Sequence, residues 1–173
     1  MLRLSFFGCI VILAESNNRP TWTDRTYHSR VIDNLISTIA PLILDPSIAL
    51  LFTNCLPNTL DTTVQHHTWS RNESDTFIIT GDIAALWLRD SSNQIIPYLP
   101  YVTQDSELNR LAQGLISRHS QSILIDSFAN AFNFNASGSG HQDDIRTPPM
   151  TPSVFEGKYE IDSISSFMKL SYW

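Results

Sequence analysis

Apolar residues recur at helical spacing through most of the first 125 positions. From Asp24 to Ile39, the residues Tyr27, Val31, Leu35 and Ile39 return every fourth position, the spacing of one helix face. Asp45 followed by Pro46 forms an N-cap with proline at the first helical position, and Ile48, Leu51, Phe52 and Cys55 then share a face until Pro57 kinks or ends the helix. The stretch from Gln65 to Asp75 shows no period. Phe77-Ile78-Ile79 reads either as a very short strand or as a buried approach to the turn at Gly81. A helix is expected from Asp82 to about Ile96, stopped by Pro97 and Pro100, and another from Asp105-Ser106 with Leu108, Leu111, Leu115, Ile116 and His119 on one side.

The pattern then vanishes from Asp126 to Gly157, a stretch rich in Asn, Gly, Pro and Ser but holding Phe128, Phe132, Phe134 and Phe155. A solvated linker has no use for four phenylalanines, so the segment reads as an ordered loop lining a pocket. From about Lys158 a last helix is expected. Ile161, Ile164, Met168 and Tyr172 lie on one side of it, and Tyr159, Leu170 and Trp173 on the other. A helix apolar nearly all round belongs in an interior. The expected fold class is therefore all-α, built from antiparallel helix pairs joined by short turns.

Advancing about 100° per residue from Asp82, the residues Ile83, Leu86, Trp87 and Gln94 form one stripe, and Asp90 falls near its centre. Burying an ionised carboxylate costs several kcal/mol (~3 or more) unless it is paired or hydrogen-bonded. Two readings follow: a structural ion pair with Arg89 under an Asp82 cap, or a polar site in a cleft. Trp87 and the amide- and hydroxyl-rich run Ser91-Ser92-Asn93-Gln94 favour the second, because such groups hold sugar hydroxyls.

Four segments resemble one family, the metal-independent exo-α-1,6-mannosidases of glycoside hydrolase family 125: NCLPNTLDTTV (54 to 64), TGDIAALWLRDSSNQIIPYLPYV (80 to 102), FANAFNFNASGSGHQDD (128 to 144) and FEGKYEIDSISSFMKLSY (155 to 172). They occur in the family's order and span nearly everything after residue 50. The resemblance implies an (α/α)6 toroid of paired helices that removes terminal α-1,6-linked mannose with inversion and without a metal or other cofactor. It also implies that Asp82, Trp87, Arg89, Asp90, Asn130, Tyr159, Glu160 and Asp162 bind the sugar. The family's general acid, an aspartate in an Asp-Asp motif, and its general base, a glutamate, both follow the segment matched by YEIDS. No catalytic residue is therefore expected within this chain, which reads as the N-terminal part of an incomplete toroid and as inactive in isolation. The alternative is a non-catalytic, mannose-binding remnant or pseudoenzyme. A plainer rival is a helical interaction domain in which WLRD is structural.

Composition narrows these readings. The 173 residues are 42% hydrophobic and 16% charged, as in a globular domain, and the net charge of -6 with no Lys/Arg patch argues against a nucleic-acid partner. The expected partner is a mannose-containing oligosaccharide or glycan. MLRLSFFGCIVILAES has the layout of a secretory signal, Arg3 followed by an apolar run too short to span a bilayer. This gives a leader at 1-16, a glycosidase-like domain at 17-173, a secreted product and no stable membrane anchor. Export gives weight to the glycosylation sequons at Asn72 and Asn135. Cys9 leaves with the leader, so Cys55 is either a buried thiol or one whose partner lies elsewhere.

No metal-ligand spacing, phosphate loop or nucleophile elbow is present. What remains is carboxylates near aromatics and amides, the chemistry of glycoside hydrolysis. Asp82, Asp90, Asp143, Asp144, Glu160 and Asp162 are the candidates, though Glu160 and Asp162 at a helix start, and Asp143-Asp144 in a loop, are equally at home in structural roles.

Overall fold

A computed structural model describes residues 16–70 and 73–173. The leader expected at 1-16, apart from Ser16, and the sequon residue Asn72 lie outside the described residues. The chain divides into two compact units, one ending at Thr62 and the other running from Thr63 to Trp173.

The first unit holds α1 (Arg30–Ile39), α2 (Pro46–Cys55) and α3 (Asn58–Thr62), with 3-10 turns at Trp22–Asp24 and Ala40–Leu42. Ser29 caps α1 and Asp45 caps α2, the aspartate accepting from Ser47 N at 2.8 Å and Ile48 N at 3.2 Å. Proline at the first position of α2 loses no hydrogen bond there. The helix expected from Asp24 begins only at Arg30. Ile32, Ile36 and Leu60 are buried beside a charged knot: Arg19 grips Asp61 through Nε (2.7 Å) and Nη2 (3.0 Å) and also reaches Asp33 at 2.8 Å. Cys55 is an exposed free thiol.

The second unit mixes helix with sheet. β1 (Val64–Trp69) and β2 (Ser74–Ile78) form an antiparallel hairpin with a bulge between Val64 and His66. β3 (Leu86–Trp87), β4 (Ala131–Phe132) and β5 (Val154–Glu156) form a second antiparallel sheet in that order. α4 (Leu88–Ile95) continues directly from β3, and α5 (Ser106–Ile125) and α6 (Ile161–Tyr172) complete the unit. Phe77, Ile78, Leu86, Leu88, Ile95, Leu108, Leu111, Leu115 and Phe132 form its core, each at most 1% exposed. Gly114 on α5 sits so close to β2 that a Cβ there would meet Thr76 Oγ1.

The all-α expectation is overturned: six helices and five strands lie among the described residues, a mixed α/β architecture rather than part of an all-helical toroid. The physical reason lies in the strands themselves. β1 is polar along both faces, so His66, His67 and Thr68 give no alternation of apolar residues. β2 is buried on both sides for most of its length, giving a short run instead of a period. The remaining three are two or three residues long and too short to carry any period.

The helix expected from Asp82 starts six residues later. Gly81 adopts φ +66°, opening a turn in which Thr80 bridges Ile83, and Leu86-Trp87 then pair with β4. Asp82 lies exposed in that turn and caps nothing. α6 also differs from expectation. It begins at Ile161, and Leu170 is fully buried, while Ile161, Met168, Tyr172 and Trp173 stand exposed.

Candidate functional site

The second sheet builds the site by register. Trp87 on β3 pairs with Ala131 on β4, and Ala131 with Glu156 on β5. Backbone bonds from Leu88 N to Asn130 O (3.1 Å) and from Asn130 N to Glu156 O (3.3 Å) extend the ladder past the strands. Three distant segments thereby meet at one carboxylate. Asn130 Nδ2 donates to Glu156 Oε2 at 2.7 Å and Trp87 Nε1 donates to the same oxygen at 3.3 Å. Lys158 Nζ donates to Oε1 at 2.7 Å. Burial pushes the Glu156 carboxyl up, but the hydrogen bonds from Lys158, Asn130 and Trp87 outweigh it and hold the group below its ordinary range.

At Leu88 the strand becomes a helix, which places Asp90 in the first turn of α4, where an acid complements the exposed amides. The carboxylate is therefore not at the centre of an apolar stripe. It is partly exposed and tied to its neighbour: Arg89 Nε donates to Asp90 Oδ1 at 3.1 Å. The same guanidinium donates through Nη1 to Asp162 Oδ2 at 2.9 Å and lies 3.8 Å from Glu160 Oε2. Hydrogen bonds to Asp162 and then Asp90 raise the Arg89 pKa, and Arg89 in turn lowers that of Asp162. One arginine thus gathers carboxylates from α4 and from the start of α6.

Two hollows are lined by residues near this arginine, one by Asp90 and the other by Glu160. The first, about 520 Å³ and open to solvent, is lined by Thr80, Gly81, Asp90, Asn93 and Gln94. Two of its residues carry buried polar atoms with no partner, Thr80 Oγ1 and Gln94 Oε1. The second, about 660 Å³, lies among Phe128, Asp144, Arg146, Lys158, Tyr159 and Glu160.

Of the residues expected to bind sugar, Arg89, Asp90, Glu160 and Asp162 come together around one guanidinium, and Trp87 and Asn130 meet at Glu156. Tyr159 is exposed beside Phe128, their ring centroids 5.8 Å apart. Asp82 joins neither group. Asn135 is exposed in the loop after β4. Among the described residues, no group of three or more His, Cys, Asp or Glu side chains is placed to hold a metal ion.

Sequence reasoning missed Glu156, which sits inside the matched segment FEGKYEIDS but carries no spacing signal of its own. It also missed the support beneath the site. His119 on α5 is fully buried, its Nε2 2.7 Å from Ser91 Oγ, and Ser91 donates its only proton to Trp87 O at 2.7 Å. The imidazole must therefore be the donor to Ser91, so Nε2 carries the hydrogen. His119 Nδ1 is buried without a partner.

The chain belongs to glycoside hydrolase family 125, the metal-independent alpha-mannosidases, which it matches over residues 45–173. Among its relatives, the meiotically up-regulated gene 157 protein of Schizosaccharomyces pombe is 42% identical over 160 residues, covering 89% of this chain and 31% of that protein. A metal-independent alpha mannosidase of Streptococcus pneumoniae, solved as a non-productive complex with alpha-1,6-mannobiose, superposes with a TM-score of 0.74 at 33% identity over 84% of this chain and 33% of its own. The chain thus spans about a third of the length of these relatives.

Proposed function

We propose that this chain carries the mannose-binding part of a metal-independent α-1,6-mannosidase site, and that the sugar occupies the hollow beside Asp90. The observation that carries the reading is the Arg89 cluster: one guanidinium holding Asp90 and Asp162, with Asp90 lining an open hollow beside Asn93 and Gln94. Carboxylate oxygens accept from sugar hydroxyls, and the permanently charged Arg89 lowers the Asp162 pKa.

The same electrostatics speak against proton donation. A general acid in glycoside hydrolysis needs a carboxyl whose pKa is raised, whereas Asp162 and Glu156 are both lowered. We propose that the chain alone binds mannosides without cleaving them. We also propose that it is exported, supported by the signal-like layout of residues 1-16 and by the exposure of Asn135.

Titration calorimetry with methyl α-mannoside tests the first claim. Saturable binding is expected, weakened at least tenfold by Asp90→Asn and by Arg89→Gln, which remove the acceptor charge and the clamp. Wild-type affinity in both variants would refute it. Mannose release from α-1,6-mannobiose by the purified chain, abolished by Asp90→Asn, would refute the second.

A further inference from the structure

We propose that Asn135 is the attachment point of an N-linked oligosaccharide, carried on a loop that the fold pins in place and leaves open to solvent. The proposal rests on the export reading above and adds a modified residue to it. Three asparagines follow one another around β4, and the structure uses them differently. Asn130 and Asn133 are buried, at 0% and 6% exposed. Asn130 Nδ2 donates to Glu156 and its Oδ1 accepts from Lys158 N, while Asn133 Nδ2 donates to Ser139 O at 3.2 Å and Pro152 O at 3.0 Å. Asn135 is exposed, as are Ala136 and Ser137, and among the described residues no hydrogen bond engages its carboxamide. The first two asparagines hold the loop together, and the third leaves its Nδ2 open to other chemistry.

The sequence around that nitrogen supplies what the transfer needs. Ala136, not proline, separates Asn135 from the Ser137 hydroxyl, the acceptor pattern for N-glycosylation. The donor is a lipid pyrophosphate-linked oligosaccharide, the co-reactant of the secretory route. Asn135 Nδ2 loses a proton and bonds to the anomeric carbon of that sugar. The bond from the anomeric carbon to the pyrophosphate oxygen breaks, and the lipid pyrophosphate leaves with the electron pair.

Chain order lets the transfer precede closure of the loop. In the folded loop Ser137 N donates to Asn135 O at 2.7 Å and the Ser137 hydroxyl donates to Ser139 Oγ at 3.1 Å, so backbone and hydroxyl are both turned inward on the loop. The turn is held by Gly138 N on Pro152 O at 3.0 Å, and Asn133 reaches Pro152 and Val154, which lie 19 and 21 positions later in the chain. An emerging chain therefore presents Asn135 to Ser137 before those partners exist, and folding then fixes the modified side chain outward. A bulky sugar there displaces no packed group. The register also sets it apart from the Arg89 cluster: Trp87 pairs with Ala131 and Leu86 with Phe132, so α4 leaves one end of β4 and the Asn135 loop leaves the other. Phe134, just before it, packs on the hairpin, its ring centroid 4.8 Å from His66 and 5.3 Å from Phe77.

Cell-free translation of the full chain with microsomal membranes tests this without requiring the product to fold. Mass spectrometry of the peptide holding Asn135, before and after peptide N-glycosidase in heavy-oxygen water, reads occupancy at that residue apart from Asn72. Glycan at Asn135 is expected. Ser137→Ala should lower its occupancy about tenfold or more, and Ser137→Thr should keep it. Unmodified Asn135 in chains that have entered the membranes, or equal occupancy in Ser137→Ala, overturns the proposal. The same chain behind a borrowed secretory leader separates this proposal from the export reading. Modified Asn135 there, with the native-leader chain left outside the membranes and unmodified, overturns export and upholds the site. Unmodified Asn135 behind the borrowed leader overturns the site itself.

Discussion

His119 supplies a buried base whose titration is set by one cause. Burial alone pushes its pKa down to about 3, and no charged group contributes. In the unfolded chain the imidazole titrates near about 6.5. Between these values the unfolded state binds a proton that the folded state refuses, so stability rises with pH across the window and is lost on acidification below about 6.5. From pH 7 to pH 4.5 this single group removes about 2–3 kcal/mol, since each unit fully inside the window is worth a little over 1 kcal/mol (about 1.4). His119→Gln is the informative replacement: its carboxamide N–H can still donate to Ser91 Oγ, but it does not titrate. Urea unfolding of both proteins, followed by circular dichroism between pH 4.5 and pH 7, isolates the histidine because every other group is shared. Wild type should be the more stable at pH 7, where the imidazole fits its cavity. The gap should close by about 2–3 kcal/mol as the pH falls. A gap independent of pH would show that His119 protonates in the folded state or is reached by water, and would refute the assignment of a permanently neutral donor under Trp87.

Three further outcomes follow from the packing. Asp75→Ala leaves the Arg118 guanidinium, which bonds Asp75 through Nε at 2.7 Å and lies over the Phe77 and Phe134 rings, without its counter-charge; a loss of about 3–5 kcal/mol is expected in urea titration. Gly114→Ala gains about 1 kcal/mol in helix propensity but drives a methyl into Thr76 Oγ1 and to 3.0 Å from the Asp75 carbonyl carbon, an overpacking cost of about 1–3 kcal/mol, so a lower melting temperature is expected by calorimetry. Glu156→Ala orphans the buried Asn130 amide at a cost of about 1–3 kcal/mol, whereas Glu156→Gln keeps an acceptor and should cost less; equal losses by chemical denaturation would deny that amide its role.

Legibility in the sequence followed length and local chemistry. The twenty-residue α5 was readable because Leu108, Leu111 and Leu115 repeat over enough turns to define a face, and all three are fully buried. The start of α2 was readable because Asp45-Pro46 encodes its cap in two residues. The hairpin was not, because its exposed strand is polar and its inner strand buried, leaving neither with an alternation. At the site the resemblance supplied residue identities, while the residue pattern misplaced their setting: the same apolar positions Leu86 and Trp87 that satisfy a helical stripe also satisfy a short strand. Only pairing with β4, set by contacts some 45 positions away, decides between them.

That decision controls the chemistry. Trp87 in an extended conformation, with φ -87° and ψ 133°, sends its indole toward Glu156 while the next residue begins α4. Had the helix run from Asp82 as the pattern implied, Trp87 would lie inside it, its backbone N–H and carbonyl committed to helix bonds and unavailable to Ala131. The strand-to-helix change at residues 87 and 88 therefore separates two groups that are adjacent in sequence: Trp87 joins Asn130 and Lys158 around Glu156, while Arg89 gathers Asp90, Glu160 and Asp162 around its guanidinium. Ser91 and His119 act on that change directly, since the hydroxyl bonded to Trp87 O sits one turn into α4 and is itself held from α5. A site drawn from β3, β4, β5 and two helix starts in this way depends on one peptide switching conformation at a fixed place, and the fully buried imidazole on α5 holds it there.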